Sequence, residues 1–75
     1  MRAGFMIRLR VQEIAVQKGI SMRKLARNAG IAYNTLRTLY REPTRIITTD
    51  TLERLARALG VPASELIEEV PDETS

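Results

Sequence analysis

The sequence predicts an all-α fold of four to five short helices, with a short two-stranded pairing of the chain ends. Apolar residues recur at three- and four-residue spacing along most of the 75-residue chain, and glycine or proline follows each of these stretches. Only the segment 6–11 alternates apolar and charged side chains, as a strand does. With 44% apolar and 28% charged residues, the chain is expected to form one domain over 1–75, with its core at about 8–67.

The first two predicted elements are a strand and a helix. In the strand 6–11, the apolar and the basic side chains lie on opposite sides. From about residue 10 the apolar spacing becomes helical. This first helix is predicted to end at Lys18 and Gly19, because a basic last turn followed by glycine is typical of a helix C-terminus.

The second and third helices flank a glycine turn. Ser21 is a predicted N-cap, because its hydroxyl can accept a hydrogen bond from a free backbone N–H of the next turn. The second helix is expected at about 22–28, and Gly30 suits the positive φ of the turn that follows. The third helix is expected at about 33–41. Pro43 ends it, because the residue before a proline is disfavoured in helical geometry.

The last part of the chain predicts one full helix and one short helical turn. The helix is expected at 51–59, with Thr49 or Asp50 as its N-cap. The short turn is expected at about 62–67.

The two chain ends are predicted to pair as antiparallel strands. Residues 68–71 are expected to be extended, so that their acidic side chains face Arg8 and Arg10 across the pair. The acidic tail 72–75 is expected to fray.

Composition excludes several classes of function. The chain has no cysteine and no histidine, so it offers no thiolate nucleophile, no imidazole base and no soft metal site. An enzyme, a cofactor and a bound metal are therefore not expected. No stretch approaches the roughly 20 apolar residues that a membrane span needs. The sequence predicts a cytoplasmic protein that does not contact a membrane.

Charge is distributed unevenly along the chain. Residues 1–57 hold all twelve Lys and Arg against four acids, which gives 12 − 4 = +8. Residues 58–75 hold five acids and no basic residue, which gives −5 and restores the total of +3. A block of this positive charge attracts polyanions. A merely solvated basic surface remains the alternative on charge alone.

The second and third helices have the pattern of a helix-turn-helix (HTH) unit. With Met22 as position one, its small and apolar positions fall at Leu25, Ala26, Gly30, Ile31, Leu36 and Leu39. Ala26 has to be small where the two helices cross. At these residues the chain resembles the lambda-repressor-like (Cro/CI, or XRE) family of DNA-binding domains, from about residue 8 to residue 67. Residues 51–61, followed by 65–66, are similar to that family's fourth and fifth helices.

The resemblance implies a four- to five-helix bundle that docks on double-stranded DNA as a homodimer, with the third helix in the major groove. It implies base-edge contacts from Ala32, Tyr33, Asn34, Arg37 and Thr38. It implies phosphate contacts from Ser21, Arg23, Thr35, Arg41 and Arg45. Asn34 is the leading base reader, because an amide can form two hydrogen bonds to adenine. A solvated Asn34 at the start of the helix is the alternative.

Some positions depart from the family pattern. Met22 stands where many members have a glutamine that touches phosphate, and a thioether cannot make that contact. Glu42 and Pro43 replace a glycine that follows the third helix. Phe5 and Tyr40 are expected to pack rather than to act in function.

Two functions fit these observations. The first is a repressor-like regulator that binds a palindromic DNA site as a homodimer. The alternative is an antitoxin-type or other protein-interaction module of the same fold, whose partner is a toxin or another regulator. Ile46, Ile47, Val61 and the apolar residues of the fifth helix belong either to a dimer patch or to the core.

Overall fold

The computed structural model describes residues 4–71 and confirms the predicted helical bundle with paired ends. Its elements are β1 (Phe5–Leu9), α1 (Val11–Gln17), α2 (Met22–Ala29), α3 (Tyr33–Arg41), α4 (Thr49–Leu59), a short 3-10 helix (Ala63–Leu66) and β2 (Ile67–Pro71). The bounds of α3 are those predicted, whereas α4 begins two residues before the predicted start. The predicted fraying of 72–75 lies outside the described residues.

The N-caps of α2 and α4 are hydroxyl side chains. Ser21 caps α2 as predicted, and its Oγ accepts a hydrogen bond from the backbone N–H of Lys24 at 3.2 Å. The prediction of Thr49 or Asp50 for α4 is wrong. Thr48 has the extended backbone of a cap residue, and its Oγ1 accepts from the N–H of Thr51 at 3.1 Å.

Leucine side chains form the centre of the core. Leu25, Leu36, Leu55 and Leu66 are each 0% exposed, and they come from α2, α3, α4 and the 3-10 helix. Burial of several side chains of this size is the main favourable term in so small a domain. The HTH pair is therefore held by the same leucines that hold the bundle together.

The sequence assigns Ile46, Ile47 and Val61 either to the core or to a dimer patch, and in the structure these residues differ in burial. Ile47 and Val61 pack against the core, whereas Ile46 is 93% exposed. Tyr40 packs as expected, and burial raises the pKa of its phenol. The expectation that Phe5 packs is wrong, since its side chain is 67% exposed at the outer end of β1.

The paired strands join the chain ends through an ion-pair cluster. Arg8 lies opposite Glu68 in the antiparallel register, and its Nη1 is 3.0 Å from Glu68 Oε2 and 2.8 Å from Glu13 Oε1. The hydrogen bond from Arg8 lowers the pKa of the Glu13 carboxyl. The prediction that an acid of the second strand faces Arg8 is confirmed. For Arg10 it is wrong, since the Nε of Arg10 lies 3.9 Å from Glu13 Oε1 on α1 instead.

Candidate nucleic-acid interface

The turn between α2 and α3 fixes how the third helix is presented. Gly30 ends α2 with a φ of 70°, in the left-handed region that glycine adopts without strain. The N–H of Ile31 then donates to the carbonyl of Ala26 at 3.0 Å, and Ala26 is buried as expected for the helix crossing. A contact that the sequence did not reveal supports the turn from α4, where Arg54 Nη1 donates to the Gly30 carbonyl at 3.4 Å.

One face of α3 is buried and the other is open to solvent. Leu36 and Leu39 anchor the inner face at 0% and 2% exposure. The predicted contact residues of this helix are exposed or half-buried: Ala32, Tyr33, Asn34, Thr35, Arg37, Thr38 and Arg41. The structure therefore brings the predicted base-contacting residues onto a single accessible surface.

The start of α3 is open to an anion. Ala32 provides no side-chain cap, so the first backbone N–H groups of the helix have no side-chain acceptor from that residue. Free N–H groups at a helix N-terminus carry partial positive charge and bind phosphate readily. The uncapped start at Ala32 is thus compatible with a DNA contact.

A shallow groove of about 380 Å³ runs between α3 and the loop that precedes α4. Its lining includes four predicted contact residues, Asn34, Thr35, Thr38 and Arg45. The lining also includes Ile46, Thr48 and Thr51, which the sequence did not single out as site residues. Nothing in their local pattern marks them, because the loop before α4 and the first turn of α4 come beside α3 only in the folded chain.

Two predicted contact residues already have partners within the chain. The hydroxyl of Thr38 donates to the carbonyl of Asn34 at 3.0 Å, so toward a base Thr38 offers its methyl group and oxygen lone pairs. Arg45 Nη1 lies 3.3 Å from Glu42 Oε1 in an exposed ion pair. A phosphate would have to replace or share that carboxylate.

The starts of α2 and α3 are linked by a cation–π contact. The guanidinium of Arg23 lies 4.8 Å from the centroid of the Tyr33 ring. This contact orients a predicted phosphate-binding side chain beside a predicted base-contacting one. Ser21 uses its oxygen as the α2 cap and keeps its hydroxyl proton for donation.

The HTH segment carries positive charge without acidic neighbours. Residues 21–41 contain five basic residues and no acid, which gives 5 − 0 = +5. These are Arg23, Lys24, Arg27, Arg37 and Arg41. Within residues 4–71, none of them lies within 4.0 Å of a carboxylate oxygen. The cations of this face are therefore available to an external anion.

Residues 4–71 contain neither a metal-binding cluster nor a helix that could span a membrane. Among residues 4–71, no three acidic side chains converge closely enough to hold a metal ion. In that part of the chain, none of the helices combines the length and the apolar character that crossing a bilayer requires.

A family model and several solved structures are similar to this chain. A family model described as the Cro/C1-type HTH DNA-binding domain matches residues 10–72. No curated protein sequence matches significantly. The crystal structure of SinR, a master regulator for biofilm formation, in complex with DNA is 27% identical, with a TM-score of 0.69 over 73% of this chain and 87% of that chain.

Two further structures of the same regulator are similar. The solution structure of the N-terminal DNA-binding domain of SinR from Bacillus subtilis is 27% identical, with a TM-score of 0.64 over 73% of this chain and 80% of that chain. The complex of SinR with SinI is also 27% identical, with a TM-score of 0.69. There the match covers 75% of this chain, which spans about half (54%) of that chain.

Proposed function

The chain belongs to the Cro/C1-type HTH DNA-binding domain family, and on that basis we propose that it reads a specific double-stranded DNA sequence with α3 in the major groove. The family and the SinR neighbours support a DNA-binding transcriptional regulator rather than an enzyme. A regulator of this kind acts in the compartment that holds the DNA, so the proposal includes a cytoplasmic location.

The observation that carries the proposal is the exposed, acid-free HTH segment. Its five basic residues are exposed on α2 and α3 and have no carboxylate partner within residues 4–71. Neutralising phosphates with such side chains releases condensed counterions and supplies most of the affinity for a duplex. Sequence preference then depends on the polar side chains between them.

Base reading is assigned to the outer face of α3. The amide of Asn34 pairs with the N6 and N7 groups of adenine, and Arg37 reaches a guanine or a phosphate. Thr38 and Ala32 contact thymine methyl groups, since the Thr38 proton is already donated within the helix. Tyr33, held by Arg23, packs against a methyl group or a sugar.

Phosphate binding is assigned to side chains around that face. Ser21 and Thr35 donate hydroxyl protons, and the free N–H groups at the start of α3 add to them. Arg23 and Arg41 bind phosphates on either side of the helix. Arg45 binds a phosphate after leaving Glu42, so its contribution is expected to be smaller.

The proposed complex is a homodimer on a palindromic site. Two copies related by a two-fold axis would place their third helices in successive major grooves, about 34 Å apart. In this proposal, repression follows when the bound homodimer occludes a promoter.

A protein-interaction module is the second candidate, and a structural neighbour favours it. SinR also forms a complex with the protein SinI, and this likeness supports a protein partner for the present chain as the second candidate. An antitoxin-type partner would belong to this class. Salt titration separates the two: DNA reading predicts a steep loss of affinity with salt and a preference of about 10³-fold or more for one duplex over random duplex.

The experiment that tests the proposal is selection of random duplexes by the protein, repeated with Asn34→Ala. The wild type should select a palindromic consensus. Asn34→Ala should lose discrimination at one base position of each half-site, by about 5- to 150-fold, which corresponds to about 1–3 kcal/mol.

The matched control is Asn28→Ala. Asn28 is also exposed, but it lies on α2 beside Asp50 and Arg54, away from the outer face of α3. This variant should select the wild-type consensus. Equal binding of all duplexes by the wild type, or a uniform loss with Asn34→Ala, contradicts base reading by α3.

A further inference from the structure

Two backbone hydrogen bonds fix the orientation of the backbone groups of β1. The N–H of Leu9 donates to the carbonyl of Pro43 at 2.7 Å, away from β2. The next N–H, that of Arg10, donates to Leu66 at 2.7 Å on the β2 side. Since backbone groups alternate sides along an antiparallel strand, Phe5 and Ile7 also direct their N–H and C=O groups away from β2.

The outer edge of β1 is therefore an unpaired edge with apolar side chains. Within residues 4–71, the outward N–H and C=O groups of Phe5 and Ile7 have no backbone partner. Their side chains lie on one face of the ribbon and are 67% and 47% exposed. An exposed apolar edge of this kind is a template for pairing with another strand.

The edge of β2 differs from the edge of β1. By the same alternation, Ile67, Glu69 and Pro71 direct their backbone groups outward from β2, and Glu69 and Pro71 form its outer half. Proline has no N–H to donate, and the Glu69 carboxylate opposes close approach of a second acidic strand. Both features are devices by which proteins block strand edges. Only one edge of the ribbon is blocked, and the open one is apolar.

We propose that β1 of a second copy of this chain pairs with this edge, antiparallel and with the two-fold axis at Met6. The inference rests on the homodimer of the proposed function and specifies its surface. The Leu9 N–H is already bonded to Pro43, so the partner strand can use only the outward groups of Phe5 and Ile7. Pairing those two residues reciprocally places the axis at Met6.

This register is chemically self-consistent. Phe5 faces Ile7 of the partner subunit, an aromatic and β-branched pair of the kind that stabilises neighbouring strands. Arg8 faces Gly4 of the partner subunit, so no like charges lie directly opposite each other. The resulting four-stranded sheet has the order β2–β1–β1–β2, and both of its outer edges are the blocked edges of β2.

The direct test is cross-linking with a single cysteine, which is possible because the chain has none. Met6 meets its own copy as a non-hydrogen-bonded pair, with Cα atoms about 4.5 Å apart, a distance that a disulfide can bridge. Under mild oxidation in the absence of DNA, Met6→Cys should become mostly disulfide-linked dimer. Val16→Cys and Ile46→Cys are the controls, because both positions are at least 71% exposed and lie off the strand. Cross-linking of Met6→Cys no faster than these controls overturns the proposal.

A charge pair tests the register without a covalent bond. Phe5→Lys with Ile7→Lys places lysine opposite lysine twice, so this double variant should sediment as a monomer. Phe5→Glu with Ile7→Lys loses the same two apolar side chains but places glutamate opposite lysine twice, so it should retain at least tenfold tighter self-association. Equal association of the two variants, each with wild-type circular dichroism, contradicts pairing about Met6.

Neither test contains DNA, so this inference and the proposed function can fail separately. If the Met6→Cys protein cross-links but the wild type binds no duplex in preference to another, pairing of β1 between copies is supported and sequence-specific DNA binding is contradicted. If the wild type binds one duplex in preference to others but Met6→Cys does not cross-link, sequence-specific DNA binding is supported and the pairing of β1 between copies is overturned.

Discussion

The arginines of the HTH segment and those of the rest of the bundle are the same residue type in opposite surroundings. Outside the segment, Arg8 lies 2.8 Å from Glu13, Arg54 lies 2.9 Å from Asp50 and Arg57 lies 3.5 Å from Glu53. Inside it, between residues 21 and 41, the basic side chains have no carboxylate within 4.0 Å among the residues that the structure describes.

This difference shows that surroundings, rather than residue type, decide what an arginine does. A paired guanidinium has its field partly cancelled by its carboxylate, and an exposed pair of this kind contributes little to stability. An unpaired guanidinium keeps its full charge for an external phosphate. The net charge of +3 conceals this division, because all nine acids lie outside residues 21–41 in the sequence.

The largest expected effect is loss of the support for α3. Leu36→Ala removes a fully buried side chain and should reduce the free energy of unfolding by about 2–5 kcal/mol. Since a core of this size supplies only about 3–5 kcal/mol, much of the protein should unfold. Urea denaturation measures the change. Ile46→Ala, at a 93% exposed position, should change stability by less than about 0.5 kcal/mol. Similar losses for the two variants would contradict the assigned core.

A smaller effect is expected at the turn that presents α3. Gly30→Ala forces an L-residue to a φ of 70°, at a cost of about 1–2 kcal/mol. Gly60→Ala is the matched control, with a φ of 71° and nothing within 4 Å of the added Cβ. Gly30→Ala should cost more, because its Cβ would lie 3.2 Å from Arg54 Nη1. Thermal unfolding should show the excess, and Arg54→Ala should abolish it. An excess that persists without Arg54 would contradict the contact between α4 and the turn.

The smallest effect concerns the paired region. The hydrogen bond from Arg8 lowers the folded-state pKa of Glu13 below 4.5, so its contribution to stability is present above that pH. The contribution is lost as pH falls through the folded pKa. Glu13→Gln should therefore be slightly less stable than the wild type at pH 7, and the two melting temperatures should converge in acid. A constant difference from pH 7 to pH 3 would contradict the ion pair as the source.

Local patterns in the sequence were sufficient to predict most of the fold. Helical spacing, the Gly30 turn and Pro43 predicted a third helix at about 33–41, which is where α3 lies. Ser21 caps α2, as its hydroxyl side chain indicated. The α4 cap was misplaced because three consecutive hydroxyl or acidic residues, 48–50, all satisfy the local cap pattern. The prediction that Phe5 packs was wrong because the alternation of side chains along a strand shows which of them share a face. It does not show how far the helical bundle extends to cover that face.

The candidate site was predictable where it depends on one helix and not where it depends on tertiary packing. The motif correctly predicted which face of α3 is open. It did not predict that Arg54 donates to Gly30, a contact across 24 positions in the chain. Nor did it predict that Ile46, Thr48 and Thr51 line the groove beside α3. The DNA contacts assigned to the predicted site residues stay a prediction.

The central claim, that the unpaired arginines of the HTH face bind DNA phosphates, is tested most directly by the salt dependence of duplex affinity in two variants. Arg41→Ala should weaken binding to all duplexes alike and flatten the plot of log K against log salt by about one unit. Arg57→Ala removes an arginine that is also exposed but is paired with Glu53, and its slope should equal that of the wild type. An unchanged slope for Arg41→Ala, or equal flattening by both variants, would contradict the claim.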